Sequence, residues 1–182
     1  FYNNALFTEK GWSVPTTWDE MWELGEKAKA EEIALFAYPT AGYFDAFFYA
    51  LLYEVGGAEF FQNATTYTEG IWDTQEATQT FDIIEKLASY TEKSVPSNAN
   101  NENYLKNQQL ILDNKALFMP NGTWVIGEMQ DAPREEGFEW GCTALPAVEE
   151  GKDAYSYTWF EQIWIPAAAN NKDAGKQFIA YM

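Results

Sequence analysis

The sequence predicts an α/β fold, and the order of its apolar residues is the first reason. Segments whose apolar residues recur at helical spacing alternate with short apolar runs bounded by Gly, Pro or Asn, the rhythm of helices laid on a sheet. The second reason is size: 182 residues, 47% of them apolar, can bury the core of one domain, or of one domain with a fragment of a second. The third is that no internal repeat or low-complexity tract interrupts the alternation.

The elements follow in chain order. Residues 4–10 read as a short helix with Leu6 and Phe7 inward, closed by Gly11. The run from Pro15 to Glu20 is a strong helix start: Thr17 caps, Glu20 reaches back from three residues on, and Asp19 suits the positive end of the dipole. Trp18, Met21, Trp22, Gly25 and Ala28 then recur at helical spacing. Residues 33–38 form a short strand stopped by Pro39. Residues 44–55 are apolar nearly all round, as a central helix should be, and Gly56-Gly57 stops them. Thr74 opens a helix whose buried stripe is expected at Ala77, Phe81, Ile84 and Ala88.

Residues 94–103, rich in Asn and Ser, form a loop, and residues 104–112 a helix that turns at Asp113-Asn114. A strand over 116–119 leads through the tight turn Pro120-Asn121-Gly122 into a helix over 123–129. Residues 138–144 form another strand, 149–154 a polar loop, and 159–165 an alternating strand before Pro166. Residues 170–182 begin a helix that the sequence stops inside, the ending expected of a truncated or excerpted chain.

Composition removes several classes of function. Eleven Lys and Arg against 28 Asp and Glu leave a net charge of −17, which repels nucleic acid and anionic membrane surfaces. The chain has no histidine, so Ser/His/Asp and Cys/His triads, the HExxH zinc site and imidazole acid–base chemistry are excluded. The lone Cys142, between Gly141 and Thr143, reads as a small buried strand residue. Gly151-Lys152 and Gly175-Lys176 lack the earlier glycine of a phosphate loop, and neither GxGxxG nor an EF-hand spacing occurs. No cofactor and no metal are therefore expected. The most apolar run, 46–55, is interrupted by Glu54 and too short to span a membrane. Asn63-Ala64-Thr65 and Asn121-Gly122-Thr123 match the glycosylation pattern, which is common by chance. What stands out is the aromatic surplus: 8 Trp, 11 Tyr and 13 Phe, or 18% of the chain. A core of this size needs fewer, so some of the rings belong to a binding surface.

Four stretches carry a resemblance. They are Tyr2-Asn3-Asn4-Ala5-Leu6-Phe7 followed by the run from Pro15 to Glu20; the aromatic helix ending at Gly56-Gly57; Ala116-Leu117-Phe118-Met119-Pro120-Asn121-Gly122-Thr123-Trp124; and Trp140-Gly141 through Leu145-Pro146, then Ile163-Trp164-Ile165-Pro166 and the segment from Asp173 to Ile179. In this order and spacing they resemble the extracellular solute-binding proteins of sugar ABC importers, the maltose-binding-protein-like group. The resemblance implies a periplasmic-binding-protein-like lobe, a central mixed sheet flanked by helices, one of two lobes with the sugar between them. Residues 1–162 would be most of the carboxy-terminal, ligand-binding lobe, and residues 163–182 the return through the hinge into the other. It further implies a carbohydrate ligand, a membrane permease of an ABC importer as partner, a monomer, and an extracytoplasmic location at the cell surface as a lipoprotein or in the periplasm. Asn114 stands where the family often has Gly, and residues 155–162 are far more aromatic than the small, glycine-rich equivalent of maltose-binding protein, which leaves the identity of the sugar open.

A sugar offers flat patches of C–H bonds to aromatic rings and a rim of hydroxyls to fixed donors and acceptors. Trp124 is the first candidate: it follows the Asn121-Gly122 turn at the end of a strand, the edge where open α/β sheets bind ligands. By resemblance, the Trp of this Asn-Gly-x-Trp motif stacks on the sugar; the structural alternative is packing on Phe138 or Trp140. Tyr43, Phe44 and Asp45 open the central helix, with Asp45 able to accept hydroxyl bonds or simply to cap. Trp159 and Glu161 fall on one face of an extended segment, as a ring–carboxylate pair or as part of a hinge strand with Trp159 buried. Tyr157 and Asn121 complete the set. Trp12, Trp18, Trp22, Trp72, Trp140 and Trp164 are expected to be structural. Aromatic rings among carboxylates also fit a glycoside hydrolase, and an acidic surface fits a non-catalytic interaction module. The reading adopted is a lobe that binds carbohydrate, by the number of rings an oligosaccharide or an N-acetylated sugar in preference to a small monosaccharide, and catalyses nothing.

Overall fold

The computed structural model describes residues 1–37, 44–100 and 102–182. Strand β1 (Tyr2–Asn3) runs directly into helix α1 (Asn4–Lys10), which Asn3 caps with its side chain and Gly11 ends in the left-handed conformation. Helix α2 (Trp18–Ala30) is capped by the Thr17 hydroxyl, which accepts from the Glu20 amide. Glu20 reaches back as expected but to Thr16, whose amide and hydroxyl both donate to its carboxylate, at 2.7 and 2.8 Å. Strand β2 (Ala34–Phe36) follows, and Tyr38 and Pro39, the expected end of that strand, lie outside the described residues.

Helix α3 (Phe44–Thr65) does stop where its glycines predict, then starts again. Gly57 has φ 70 and ψ −167, a conformation open to glycine, and the chain turns there into a second helical stretch. A short 3-10 turn (Ile71–Asp73) leads to α4 (Gln75–Ser89), capped by Thr74 as expected. The buried stripe of α4 is Ala77, as expected, then Thr80, Ile83 and Leu87, each one position before the residue the sequence suggested, and Phe81 is 49% exposed. Thr80 can be buried because its hydroxyl donates to the Glu76 carbonyl at 2.8 Å, so inside the helix it presents mainly a methyl group. Phe81 instead joins Phe48 and Trp72 in a surface aromatic cluster, with ring centroids 6.0–6.4 Å apart.

The expected loop at 94–103 contains one turn of helix, α5 (Val95–Asn98). Helix α6 (Tyr104–Leu112) matches its predicted bounds, and Asn114 takes φ 54 after it. Strand β3 (Ala116–Phe118), buried throughout, leads through the 120–124 turn to α7 (Val125–Glu128), and then comes β4 (Trp140–Gly141). The four strands form one mixed sheet in the order β2-β3-β1-β4, with β2 parallel to β3 and β1 antiparallel to both of its neighbours. Helices pack on this sheet as the α/β prediction required. One core gathers Leu6, Phe7, Trp18, Trp22, Leu51 and Phe118, and a second gathers Val95, Ile111, Met119 and Val125.

Past β4 the polar loop at 149–154 and the final helix form as expected, but the strand between them does not. Residues 159–165 form no strand, because no described strand lies alongside to pair with them. Helix α8 (Lys172–Tyr181), capped by Asn171, buries none of its residues. Trp164, expected in a core, is 76% exposed, its indole N–H donating to Gln162 at 3.0 Å. Trp18 and Trp22 are buried and stacked 5.1 Å apart, Trp12 and Trp140 pack against the cores, and Trp72 sits in the surface cluster. Cys142 is exposed, not buried: β4 ends at Gly141, so the thiol lies just beyond the ladder.

Candidate functional site

Sheet topology gathers several chain ends at one edge. The parallel strands β2 and β3 both point their carboxyl ends there; β1, antiparallel to β3, starts there, and β4, antiparallel to β1, ends there. Phe1, the turn after β3 and residues 142–145 after β4 thus converge beside the amino-terminal half of α3. Between them is a cleft of about 400 Å³. Ala46, Phe47 and Ala50 of α3 line one side, Pro120 through Trp124 another, Cys142, Thr143 and Leu145 a third, and Tyr155 through Trp159 the fourth, with Phe1 at the sheet edge.

The turn after β3 is built to present Trp124. Asn121 folds its side chain back so that its Oδ1 accepts from the Gly122 amide at 2.8 Å, which fixes the turn. The Trp124 indole lies directly over Gly122, in the space a side chain there would occupy. Glycine is therefore required for close approach, and the ring, 45% exposed, faces the cleft. Phe138 and Trp140, the alternative packing partners, meet each other edge to face at 4.8 Å.

Of the residues singled out in the sequence, Asn121, Trp124, Tyr157 and Trp159 line this one cleft. Phe44 and Asp45 open α3, the helix that forms one wall. Phe44 itself turns to other rings, stacking on Phe48 at 5.7 Å and on Phe47 at 6.3 Å, while Asp45 is exposed in the first turn of the helix. Trp159 is 63% exposed, which corrects the alternative that buries it in a hinge strand. Glu161 is exposed and is not among the residues lining the cleft. Tyr43 lies outside the described residues. Sequence reasoning passed over Phe1, Thr143 and Tyr155, and it read Ala46 and Ala50 only as buried helix. The signal for the alanines was present: small residues four apart on an aromatic helix open a groove beside it.

Glu54 lies one turn from Ala50 on the same side of α3. It is buried, and among the described residues neither carboxylate oxygen has a hydrogen-bond partner. Burial without compensation pushes its pKa up to about 8, so the side chain is a neutral acid at pH 7. Among the described residues, no group of three or more His, Cys, Asp or Glu is placed to hold a metal ion.

The profile of bacterial extracellular solute-binding proteins matches residues 1–182, the whole chain. The chain belongs to the bacterial extracellular solute-binding protein family. Among curated relatives, the diacetylchitobiose-binding protein NgcE of Streptomyces coelicolor is 26% identical over 100% of this chain and 40% of its own length. The maltotriose-binding protein of Pyrococcus abyssi is 27% identical over 99% of this chain and 36% of its own. The chain thus spans about two fifths of the curated relatives it matches. The solved structure of RafE with raffinose superposes with a TM-score of 0.69 at 22% identity, covering 100% of this chain and 48% of RafE. A sugar transporter of Bacillus licheniformis in complex with stachyose gives 0.69 at 17% identity, covering 99% and 48%. At that identity the superpositions establish a solute-binding-protein fold. Among the described residues of this family member, no helix is long and apolar enough to cross a membrane.

Proposed function

We propose that this chain is most of one lobe of an extracytoplasmic carbohydrate receptor, which holds an oligosaccharide in its cleft for an ABC importer permease and catalyses nothing. The observation that carries the reading is Trp124, laid over Gly122 and facing a cleft that is also lined by Tyr157 and Trp159. Rings on two walls suit the C–H faces of consecutive sugar units. Around them stand hydroxyl and amide groups of Asn121, Thr123, Ser156 and Thr158, which suit the hydroxyl rim. Membership in the solute-binding family, with sugar-binding relatives, supports the class of ligand.

Residues 1–162 are the lobe in this reading, and residues 163–182 pass into a second one. Helix α8, with no buried residue, and the exposed Trp164 and Phe178 suit segments that another lobe covers. The receptor works as a monomer at the cell surface or in the periplasm. Calorimetric titration of the full-length protein with maltotriose, raffinose, stachyose and diacetylchitobiose, beside a reducing-sugar release assay, tests the function. Saturable binding without release is expected. Steady release of product would make the protein a glycoside hydrolase, and an absence of binding would favour an interaction module.

A further inference from the structure

The aromatic wall at 155–159 has little to hold it. Among the described residues it lies in no strand, and its backbone is tied by one hydrogen bond, from the Leu145 amide to the Tyr155 carbonyl at 3.3 Å. What fixes it instead is a pair of ring contacts to α3. Tyr53 meets Tyr155 at 4.8 Å and 67°, and Tyr49 meets Tyr157 at 5.9 Å and 41°. The spacing explains why both contacts form together. Four residues of helix rise about 6 Å, and two residues of extended chain advance about 6.6 Å, so side chains i and i+4 on α3 match alternate side chains of a segment running the opposite way. Phe61, brought back by the turn at Gly57, touches both tyrosines, with ring centroids 6.0 and 5.9 Å away.

Neither Tyr49 nor Tyr53 is among the residues that line the cleft. We propose that Tyr49 and Tyr53 are positioning residues of the carbohydrate site: they clamp the Tyr155–Trp159 wall in a register that sets Trp159 against Asp45 at the cleft mouth, as a ring and a carboxylate for one further sugar unit. The register follows from the two pairs already formed. Stepping from Tyr53 and Tyr155 to Tyr49 and Tyr157, the next position on α3 is Asp45 and the next on the wall is Trp159. Exposure along the wall rises in the same order, from the half-buried Tyr155 to Tyr157 at 46% and Trp159 at 63%, as for a wall held at its base and open at its mouth. The inference rests on the carbohydrate reading of the cleft.

The test is affinity of the full-length protein for the tightest of maltotriose, raffinose, stachyose and diacetylchitobiose. Tyr49→Ala and Tyr53→Ala should each weaken binding at least tenfold, with Tyr49→Leu and Tyr53→Leu, which keep volume without an aromatic face, standing in where alanine does not fold. Tyr49→Phe should restore affinity to within about twofold of the parent, since the ring and not the hydroxyl makes the contact. Adding Tyr157→Ala to Tyr49→Ala should cost less than the product of the two single losses, because the pair acts as a unit. Full affinity in the Ala or Leu variants, while Trp124→Ala loses binding, would overturn the clamp and leave the cleft. Equal losses in Tyr49→Phe and Tyr49→Ala, or fully multiplicative losses in the double variant, would also overturn it. Unchanged affinity in Trp124→Ala as well, or no binding of any of the four sugars, would overturn the cleft reading and the clamp together.

Discussion

Trp124 combines exposure with a fixed position, and its substitution separates binding from folding. Trp124→Ala removes a central aromatic contact worth about 2 kcal/mol or more, roughly a thirtyfold loss of sugar affinity. Because the ring is 45% exposed, the denaturant midpoint should barely move, whereas a core tryptophan would cost about 3–5 kcal/mol. Measuring both quantities on one preparation decides between the two roles. Gly122→Ala reaches the same ring from below: the added methyl occupies the space of the indole, so affinity should fall although the binding group itself is intact. Glu54 makes a prediction about pH. Its folded pKa of about 8 against 4.5 for the free group means that the folded state keeps a proton the unfolded state has lost. Stability therefore falls as pH rises from about 4.5 to about 8 and levels off above that. Glu54→Gln should gain stability over the parent across this window, seen as denaturant midpoints that diverge between pH 5 and pH 8.5; parallel curves would place the carboxylate in water.

Among the elements, α3 matters most, since one helix forms a cleft wall, part of the core and the mount for the aromatic segment. Its character depends on Gly57, whose φ of 70 is open to glycine and strained for alanine, and whose missing side chain would meet nothing within 4 Å. Gly57→Ala should thus cost about 1–2 kcal/mol of stability through the backbone alone, measurable by urea unfolding. If the turn straightens in response, Phe61 leaves Tyr49 and Tyr53, and sugar affinity falls with stability. Helix α4 shows how far an amphipathic pattern can be read. Thr80 and Ile83 compete with Phe81 and Ile84 for the inward face, and the side chain that can satisfy its own hydroxyl within the helix goes in.

For the whole molecule the proposed second lobe sets the expectations. A lone lobe keeps the stacking area of Trp124, Tyr157 and Trp159, but its polar groups compete with bulk water and no closure sequesters the ligand. This 182-residue chain should therefore bind sugar at least about 100-fold more weakly than the full-length protein, or about 2.8 kcal/mol, by calorimetry in one buffer. Equal affinities would place the entire site in this lobe. Hydrogen exchange adds a second measure. Amides of α8, a helix without a buried residue, should exchange rapidly in the isolated chain and slowly in the full-length protein, while those of α6, with Ile111 and Leu112 fully buried, should be protected in both.

Local chemistry was legible in the sequence because it acts over a few residues. The Thr17 and Thr74 caps and the turn presenting Trp124 depend on side chains within four positions of the backbone they satisfy, and the left-handed Asn114 and the stop at Gly57 on the backbone freedom of those residues themselves. So did the exclusions: no arrangement of the chain supplies a histidine it lacks. The sequence also pointed to Asn121, Trp124, Tyr157 and Trp159 as cleft residues, through strand ends, ring chemistry and family pattern. Only the tertiary structure decided which elements meet. Phe1 and Cys142 reach the cleft because the antiparallel pairing of β1 sets its start beside the ends of β3 and β4. Residues 159–165 alternate like a strand but stay unpaired, since a ladder needs a neighbouring edge as well as a pattern. Tyr49 and Tyr53 look like any aromatic residues of a buried helix until Tyr155 and Tyr157, about a hundred residues away, are laid against them. That contact depends on distance in space, which the order of residues alone does not encode.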